Sequence, residues 1–192
     1  MKPAASCVQT TIASPLGPML LAASPSGLAG VWFTDQRHLP PVELIRGWLQ
    51  EPAHPVLIAA AEQLSAYYRG QLTRFDLPLD LAVGTPFQQA VWQALLHTPA
   101  GGTLSYGALA RQIGKPAAVR AVGAAVGRNP LSIVVPCHRV LGAGGALTGY
   151  AGGLQRKTAL LQLEGVLIPE SHQSALHSAS THAAASKRLP AH

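Results

Sequence analysis

Between Asp80 and Glu164 the sequence contains no carboxylate at all. Acidic residues are few throughout, 8 against 14 lysines and arginines, and charged residues make up only 11% of the 192. Ordinary soluble domains carry roughly 25%. Cysteine is scarcer still: Cys7 and Cys137 are the only two. That excludes a disulfide framework and a cysteine-built zinc site. No apolar run approaches the roughly 18 residues of a membrane span. Pro3, Pro15 and Pro18 interrupt any signal-peptide core, and no hydrophobic segment precedes Cys7 to make it a lipid anchor. The expectation is a soluble, cytoplasmic protein with no membrane partner, no metal and no cofactor. A thiol in a reducing compartment is either buried and inert or reactive.

What is present is a basic half. Residues 1–80 carry Lys2, Arg37, Arg46, Arg69 and Arg74 against six acids, whereas residues 81–168 carry Arg111, Lys115, Arg120, Arg128, Arg139, Arg156 and Lys157 against Glu164 alone. A positive field concentrated in one half is the footprint of a polyanion binder. A basic surface kept for solubility fits the charge equally well. Hydrophobic content of 48% and a mean hydropathy of +0.22 exclude disorder of the chain as a whole. The length suits one large domain or two small ones.

Residues 1–34 alternate β-prone runs (Cys7–Ile12, Met19–Ala23, Leu28–Thr34) with the turn signals Pro15–Gly17 and Pro25–Gly27, which predicts a small antiparallel meander. Leu57, Ala61, Leu64 and Tyr68 recur at helical spacing over 53–69, ended by Gly70. The stretch Leu77–Gly84 reads as a connector. Thr85-Pro86-Phe87-Gln88 is a capping box with Pro at the first helical position, and it starts a helix with Phe87, Val91, Ala94 and Leu95 on one face. A short helix over about Ser105–Ile113, Gly114, and a third helix from Pro116 to about Gly127 together predict a helix-turn-helix. A last helix over 154–164 closes at Gly165. Residues 169–192 lack periodicity and are expected to form a disordered tail. Their His172, His177 and His182 do not have the i,i+4 spacing of helical metal ligands.

On the third helix, at about 100° per residue, Val119, Val122 and Val126 form a core stripe. Ala117, Ala121, Ala124 and Arg128 fall opposite, with Arg120 beside them. Such a smooth, basic face suits either packing against another helix or close insertion into a nucleic-acid groove.

The sharpest signal is Ile133-Val134-Val135-Pro136-Cys137-His138-Arg139-Val140. Three β-branched residues predict a buried extended run, Pro136 stops it, and a Cys-His pair follows. A free thiol with a pKa of about 8.5 needs a base or positive surroundings to act as a nucleophile at pH 7, and His138 and Arg139 offer both. Adjacent side chains diverge on a strand, so His138 has to act through a turn or a bridging water. A carboxylate to orient it could only be Glu164, which otherwise sits unfavourably at a helix C-terminus. An inert buried cysteine remains open on these residues alone.

Pro136-Cys137-His138-Arg139-Val140 followed by Gly149-Tyr150-Ala151-Gly152-Gly153 resembles the active site of the O6-alkylguanine-DNA alkyltransferases, or methylated-DNA–protein-cysteine methyltransferases. The similarity continues through Ser105-Tyr106, Arg120-Ala121-Val122-Gly123, Arg128-Asn129-Pro130 and Leu163-Glu164-Gly165. The resemblance implies an α+β fold. Residues 1–80 would be a small antiparallel sheet with helices, ribonuclease H-like. Residues 81–168 would be a mainly helical, winged-helix-like domain holding the helix-turn-helix.

It also implies roles. Cys137 would attack the alkyl carbon on guanine O6 and keep the alkyl group, after flipping of the nucleotide; O4-alkylthymine is a second candidate substrate. His138 would be a water-mediated base oriented by Glu164. Tyr106 would donate to guanine N3, and Asn129 would hold the turn before the reactive segment. Arg120 would fill the gap left by the flipped nucleotide, while Ala117, Ala121, Ala124, Arg128 and Tyr106 would meet the minor groove. Carbonyls of Cys137 and Val140 would receive the guanine amino group, with Tyr150, Ala151 and Gly152 walling the pocket. The expected partner is double-stranded DNA containing O6-alkylguanine, bound by a monomer. Two other readings compete. A damage-binding module of the alkyltransferase-like kind lacks the reactive cysteine that Cys137 supplies. A cysteine hydrolase gives no reason for Arg120 and the alanine face.

Overall fold

The computed structural model describes residues 7–166. The tail expected over 169–192 lies outside the described residues. Strands β1 (Val8–Ile12), β2 (Met19–Ser24) and β3 (Gly27–Phe33) form the expected meander, with Val8 opposite Ala23 and Met19 opposite Phe33. Two elements were not anticipated. Helix α1 (Val42–Arg46) precedes strand β4 (Leu49–Gln50), which pairs parallel to β1 and makes the sheet mixed, in the order β3-β2-β1-β4.

Central strand β2 is buried on both faces, so it reads as an unbroken apolar run rather than an alternation. Met19, Leu21 and Ala23 face the main core, where helix α2 (Pro55–Tyr68) packs. Leu20 and Ala22 face a second cluster built on Trp32 and Trp48, whose rings stack 6.2 Å apart. Along α2 the buried residues are Leu57, Ala60, Leu64 and Tyr67. The expected Ala61 and Tyr68 are only half-buried, because the buried stripe is rotated by one residue.

The second half begins with α3 (Pro86–Leu95). Its capping box is complete: Gln88 N–H donates to Thr85 Oγ1 at 3.3 Å and Thr85 N–H to Gln88 Oε1 at 2.9 Å. Helices α4 (Tyr106–Gln112) and α5 (Val119–Gly127) form the helix-turn-helix. Trp92 on α3 anchors α5 by donating its indole N–H to Ala125 O at 2.9 Å. Strands β5 (Leu104–Ser105) and β6 (Val140–Leu141) make a short parallel pair, and α6 (Leu154–Leu163) closes the domain. The third helix starts later than expected, so Ala117 lies on the turn before it, and Val119 is exposed rather than core.

One core runs through both halves, from Leu21, Leu57 and Tyr67 to Val122, Val135 and Leu160. The join is also a backbone one. Val31 on β3 donates to Pro130 O and accepts from Ser132 N–H, both at 2.9 Å. The first half is thereby hydrogen-bonded to the segment that leads into Cys137.

Candidate active site

Ile133-Val134-Val135 is not a strand. Asn129, buried at the end of α5, organises a tight turn instead. Its side-chain oxygen accepts from Leu131 N–H at 3.0 Å, and its amide donates to Leu131 O at 3.3 Å and Val135 O at 2.8 Å. Ile133 is forced to φ +74, a left-handed conformation that a β-branched residue resists. Hydrogen bonds to a buried amide outweigh β-propensity here, since that propensity reports packing more than backbone preference. After Pro136 the residues Cys137–Arg139 form one 3-10 turn. Cys137 and His138 therefore project from a tight turn rather than from opposite faces of a strand.

The same Asn129 amide lies 3.0 Å from Cys137 Sγ. Burial pushes the Cys137 thiol above its ordinary value, opposed by the Asn129 hydrogen bond and the positive charge of Lys157. His138 is completely buried and its Nε2 lies 2.8 Å from Glu164 Oε1. Its Nδ1 has no partner among the described residues. Burial holds His138 below its ordinary pKa despite the carboxylate. The resting pair is thus thiol and neutral imidazole. With Nε2–H donated to Glu164, Nδ1 carries the lone pair and can accept a proton.

Glu164 is more than an orienting group. Its side chain is 2% exposed and also receives Arg139 Nε at 2.9 Å, Arg139 Nη2 at 2.8 Å and the Tyr67 hydroxyl at 2.7 Å. Burial alone would raise its pKa. The hydrogen bonds from His138, Arg139 and Tyr67 outweigh that and hold the carboxyl well below the usual carboxylate range. A charge at this helix end is tolerated because Arg139 neutralises it. Arg139 is accordingly committed to Glu164 and to Thr98 O, not to the thiol.

The positive charge acting on the thiol comes from Lys157 on α6, outside the sequence motif around Cys137. It is fully buried, and its ammonium donates to Val140 O at 2.5 Å, Thr148 O at 2.7 Å and Gly149 O at 3.4 Å. Burial lowers its pKa to about 8. A signal was available: Lys157, Leu160, Leu161 and Glu164 share the i, i+3, i+4, i+7 stripe of α6. Tyr67 carried no comparable signal, because it arrives from the other half of the chain.

Tyr106 opens α4, half-buried, and its hydroxyl donates to Thr148 O at 3.4 Å. Burial raises its pKa, and a negative charge on Cys137 would raise it further. Tyr150 is buried within the electrostatic reach of Cys137, and burial pushes its hydroxyl well above the ordinary tyrosine range. Val140 is buried in the same core, while Ala151 and Gly152 form the turn that leads into α6.

Arg120, Ala121 and Ala124 are exposed on α5, with Ala117 exposed before it and Arg128 exposed at its end. Arg111, Lys115, Arg120 and Arg128 are all exposed, and none is in an ion pair among the described residues. Among the described residues the alanine face meets solvent and packs against no other helix. A cleft of about 670 Å³ lies elsewhere, behind the reactive turn, lined by Ile133, Val134, Pro136 and Arg139 together with Phe75 and Leu77. Among the described residues no three His, Cys, Asp or Glu side chains converge to hold a metal, and none of the helices described is long and apolar enough to cross a membrane.

Two family models match the chain. The ribonuclease-like domain of 6-O-methylguanine DNA methyltransferase matches residues 7–81, and its DNA binding domain matches residues 86–166. The methylated-DNA–protein-cysteine methyltransferase of Mycobacterium tuberculosis H37Rv is 52% identical over 159 residues, covering 83% of this chain and 93% of its own. The protein of the same name from Methanosarcina acetivorans is 47% identical over 152 residues, 79% of this chain and 94% of its own. A crystal structure of Mycobacterium tuberculosis OGT in complex with DNA superposes with a TM-score of 0.73 at 50% identity, covering 83% of this chain and 92% of that one.

Proposed function

The chain belongs to the 6-O-methylguanine DNA methyltransferase family, and from that premise we propose that Cys137 is the residue that receives the alkyl group. The protein binds DNA and repairs it by alkyl transfer to its own cysteine. The observation that carries the assignment is the buried run Asn129–Cys137–His138–Glu164, in which each polar group has one evident task.

His138 Nδ1, free while Nε2–H is bound to Glu164, takes the Cys137 proton through a bridging water. The thiolate attacks the alkyl carbon on guanine O6, forming the S–C bond as the C–O6 bond breaks. The electron pair of that bond passes to the purine, and Tyr106 neutralises it by giving its hydroxyl proton to N3. Tyr106 exchanges its 3.4 Å bond to Thr148 O for this contact. Asn129 steadies the sulfur, and Lys157 supplies the cation that a forming thiolate meets in a low-dielectric site. The carbonyls of Cys137 and Val140 receive the guanine amino group, with Tyr150, Ala151 and Gly152 around the base. The thioether has no leaving group, so the protein acts once.

The target base must leave the duplex to reach a buried sulfur. Arg120 fills the vacated stack, and Ala117, Ala121, Ala124 and Arg128 lie along the minor groove, where small side chains allow a close backbone approach. The reading extends to a monomer working in the cytoplasm, to a division into residues 1–80 and 81–168, and to O4-alkylthymine as a second substrate. The test is incubation with a duplex carrying one O6-methylguanine, followed by peptide mass analysis. About one methyl group per protein on Cys137, and none in Cys137→Ala, is expected for a single-turnover nucleophile. Repeated turnover without loss of activity would overturn the assignment.

A further inference from the structure

The wall of the proposed pocket is a weak piece of chain taken alone. Residues 149–153 include Gly149 at φ +44 and Gly153 at φ +90, and Gly153 N–H donates back to Tyr150 O at 3.1 Å. Lys157 holds the near end at Thr148 and Gly149. The middle is held from the other half of the protein, at three points.

First, the backbone N–H of Arg37 donates to Ala151 O at 3.0 Å. Second, Phe33 at the end of β3 packs so close to Gly152 that an added Cβ would sit 3.1 Å from its ring and 2.8 Å from Tyr150. Third, Arg156 spans the two halves. Its guanidinium lies 4.2 Å from the centre of the Phe33 ring and donates to Gly152 O at 3.1 Å and Leu16 O at 2.8 Å. It also makes a two-point ion pair with Asp35, at 2.8 Å and 3.1 Å. Planar stacking with forked donation is what a guanidinium does and an ammonium does not.

We propose that the first half of the chain sets the position of the pocket wall at residues 150–153 through Arg156, so that Arg156 and its partner Asp35 are positioning residues for substrate fit. This rests on the pocket reading above. Neither side chain belongs to the proton path of Cys137, His138 and Glu164, so the chemical step is independent of them. Their effect falls on how a base is held, and most on one that arrives without DNA. A nucleotide in a duplex is also placed by the helix-turn-helix, whereas a free base has only the pocket walls.

The test compares Cys137 alkylation by free O6-benzylguanine and by an O6-methylguanine duplex, in full-length wild type, Arg156→Met and Asp35→Asn. For Arg156→Met the half-saturating concentration of the free base should rise about fivefold, the scale of one net hydrogen bond. The maximal rate and the duplex reaction should stay within about twofold, since the transition-state contacts are untouched. Asp35→Asn, at an exposed position, should shift the same constant in the same direction by less. Arg156→Lys replaces the methionine variant should that one not fold, with the same split at smaller size. An unchanged half-saturating concentration, or maximal rates falling in parallel on both substrates, would overturn the inference. A wild-type protein that takes no alkyl group from either substrate would refute the functional reading itself.

Discussion

Glu164→Gln separates a structural from a chemical role for the carboxylate, because the structure predicts two losses with different remedies. The side chain is 2% exposed and holds a buried guanidinium by two hydrogen bonds of 2.8 and 2.9 Å. Removing its charge leaves Arg139 buried and unpaired, a change that costs about 3–5 kcal/mol. At about 2–4 °C per kcal/mol for a chain of this size, Tm should fall by roughly 6–20 °C. The chemical loss is distinct. A glutamine amide can donate to His138 Nε2, which moves the imidazole proton to Nδ1 and removes the acceptor that the thiol needs. General-base assistance is worth about 10²–10⁴-fold, and the alkylation rate should drop by that order. DNA affinity should hardly change, because the Glu164 side chain is buried whereas Arg120 and Arg128 are on the surface.

The double variant Glu164→Gln/Arg139→Met decides between the roles. Deleting the stranded charge should restore much of the stability and none of the rate. Differential scanning calorimetry gives the first quantity, and timed mass analysis of Cys137 alkylation gives the second. A double variant that regains stability and rate together would refute the reasoning, leaving Glu164 a purely structural residue. So would a single variant as stable as wild type.

The pH dependence of stability follows from the same contacts. Glu164 has its carboxyl depressed in the fold, so its stabilisation is complete above the unfolded value of about 4.3 and is lost as pH falls through the lower folded value. His138 is held neutral. Below about pH 6.5 the unfolded chain therefore binds a proton that the folded one refuses. Both act in one direction, and urea midpoints should decline from about pH 6.5 downward. Arg120→Ala should slow repair of O6-methylguanine in duplex DNA by at least about tenfold more than reaction with free O6-benzylguanine, as stopped single-turnover assays would show, because only the duplex requires flipping. Equal slowing on both substrates would place Arg120 in the chemistry or the fold. Lys157→Met removes the cation that acts on the thiol and three hydrogen bonds to the carbonyls of Val140, Thr148 and Gly149. The apparent pKa of Cys137 alkylation should rise, because the lost cation opposes the effect of burial on the thiol, and superimposable pH–rate profiles would exclude an electrostatic role.

Much of the second half was legible because its signals are local. A capping box needs only Thr85 and Gln88 on adjacent turns, a helix-turn-helix needs only periodicity and Gly114, and the scarcity of carboxylates left one possible partner for His138. The exposed face of Arg120, Ala121 and Ala124 followed from a helical wheel for the same reason. Errors arose where a residue answers to something distant. Ile133-Val134-Val135 has the composition of a strand, yet the buried amide of Asn129 bends it into a turn. Arg139 was expected to face the thiol, yet the carboxylate that needs it sits 25 residues away at 2.8 Å.

By itself, then, the sequence determined which residues can do the chemistry: one thiol, one imidazole and one carboxylate in a basic half, with short-range helix and turn signals to carry them. Only the tertiary structure decided their states. Burial raised the thiol and lowered the imidazole, the network around Glu164 kept its charge, and Lys157 became the cation whose field acts on the thiol. The first half contributes Tyr67 to that network and Phe33, Arg37 and Asp35 to the opposite wall. The physical reason is desolvation: a hydrogen bond or charge worth little in water becomes decisive once water is excluded. Exclusion depends on both halves closing over one core, which no local stretch of sequence records.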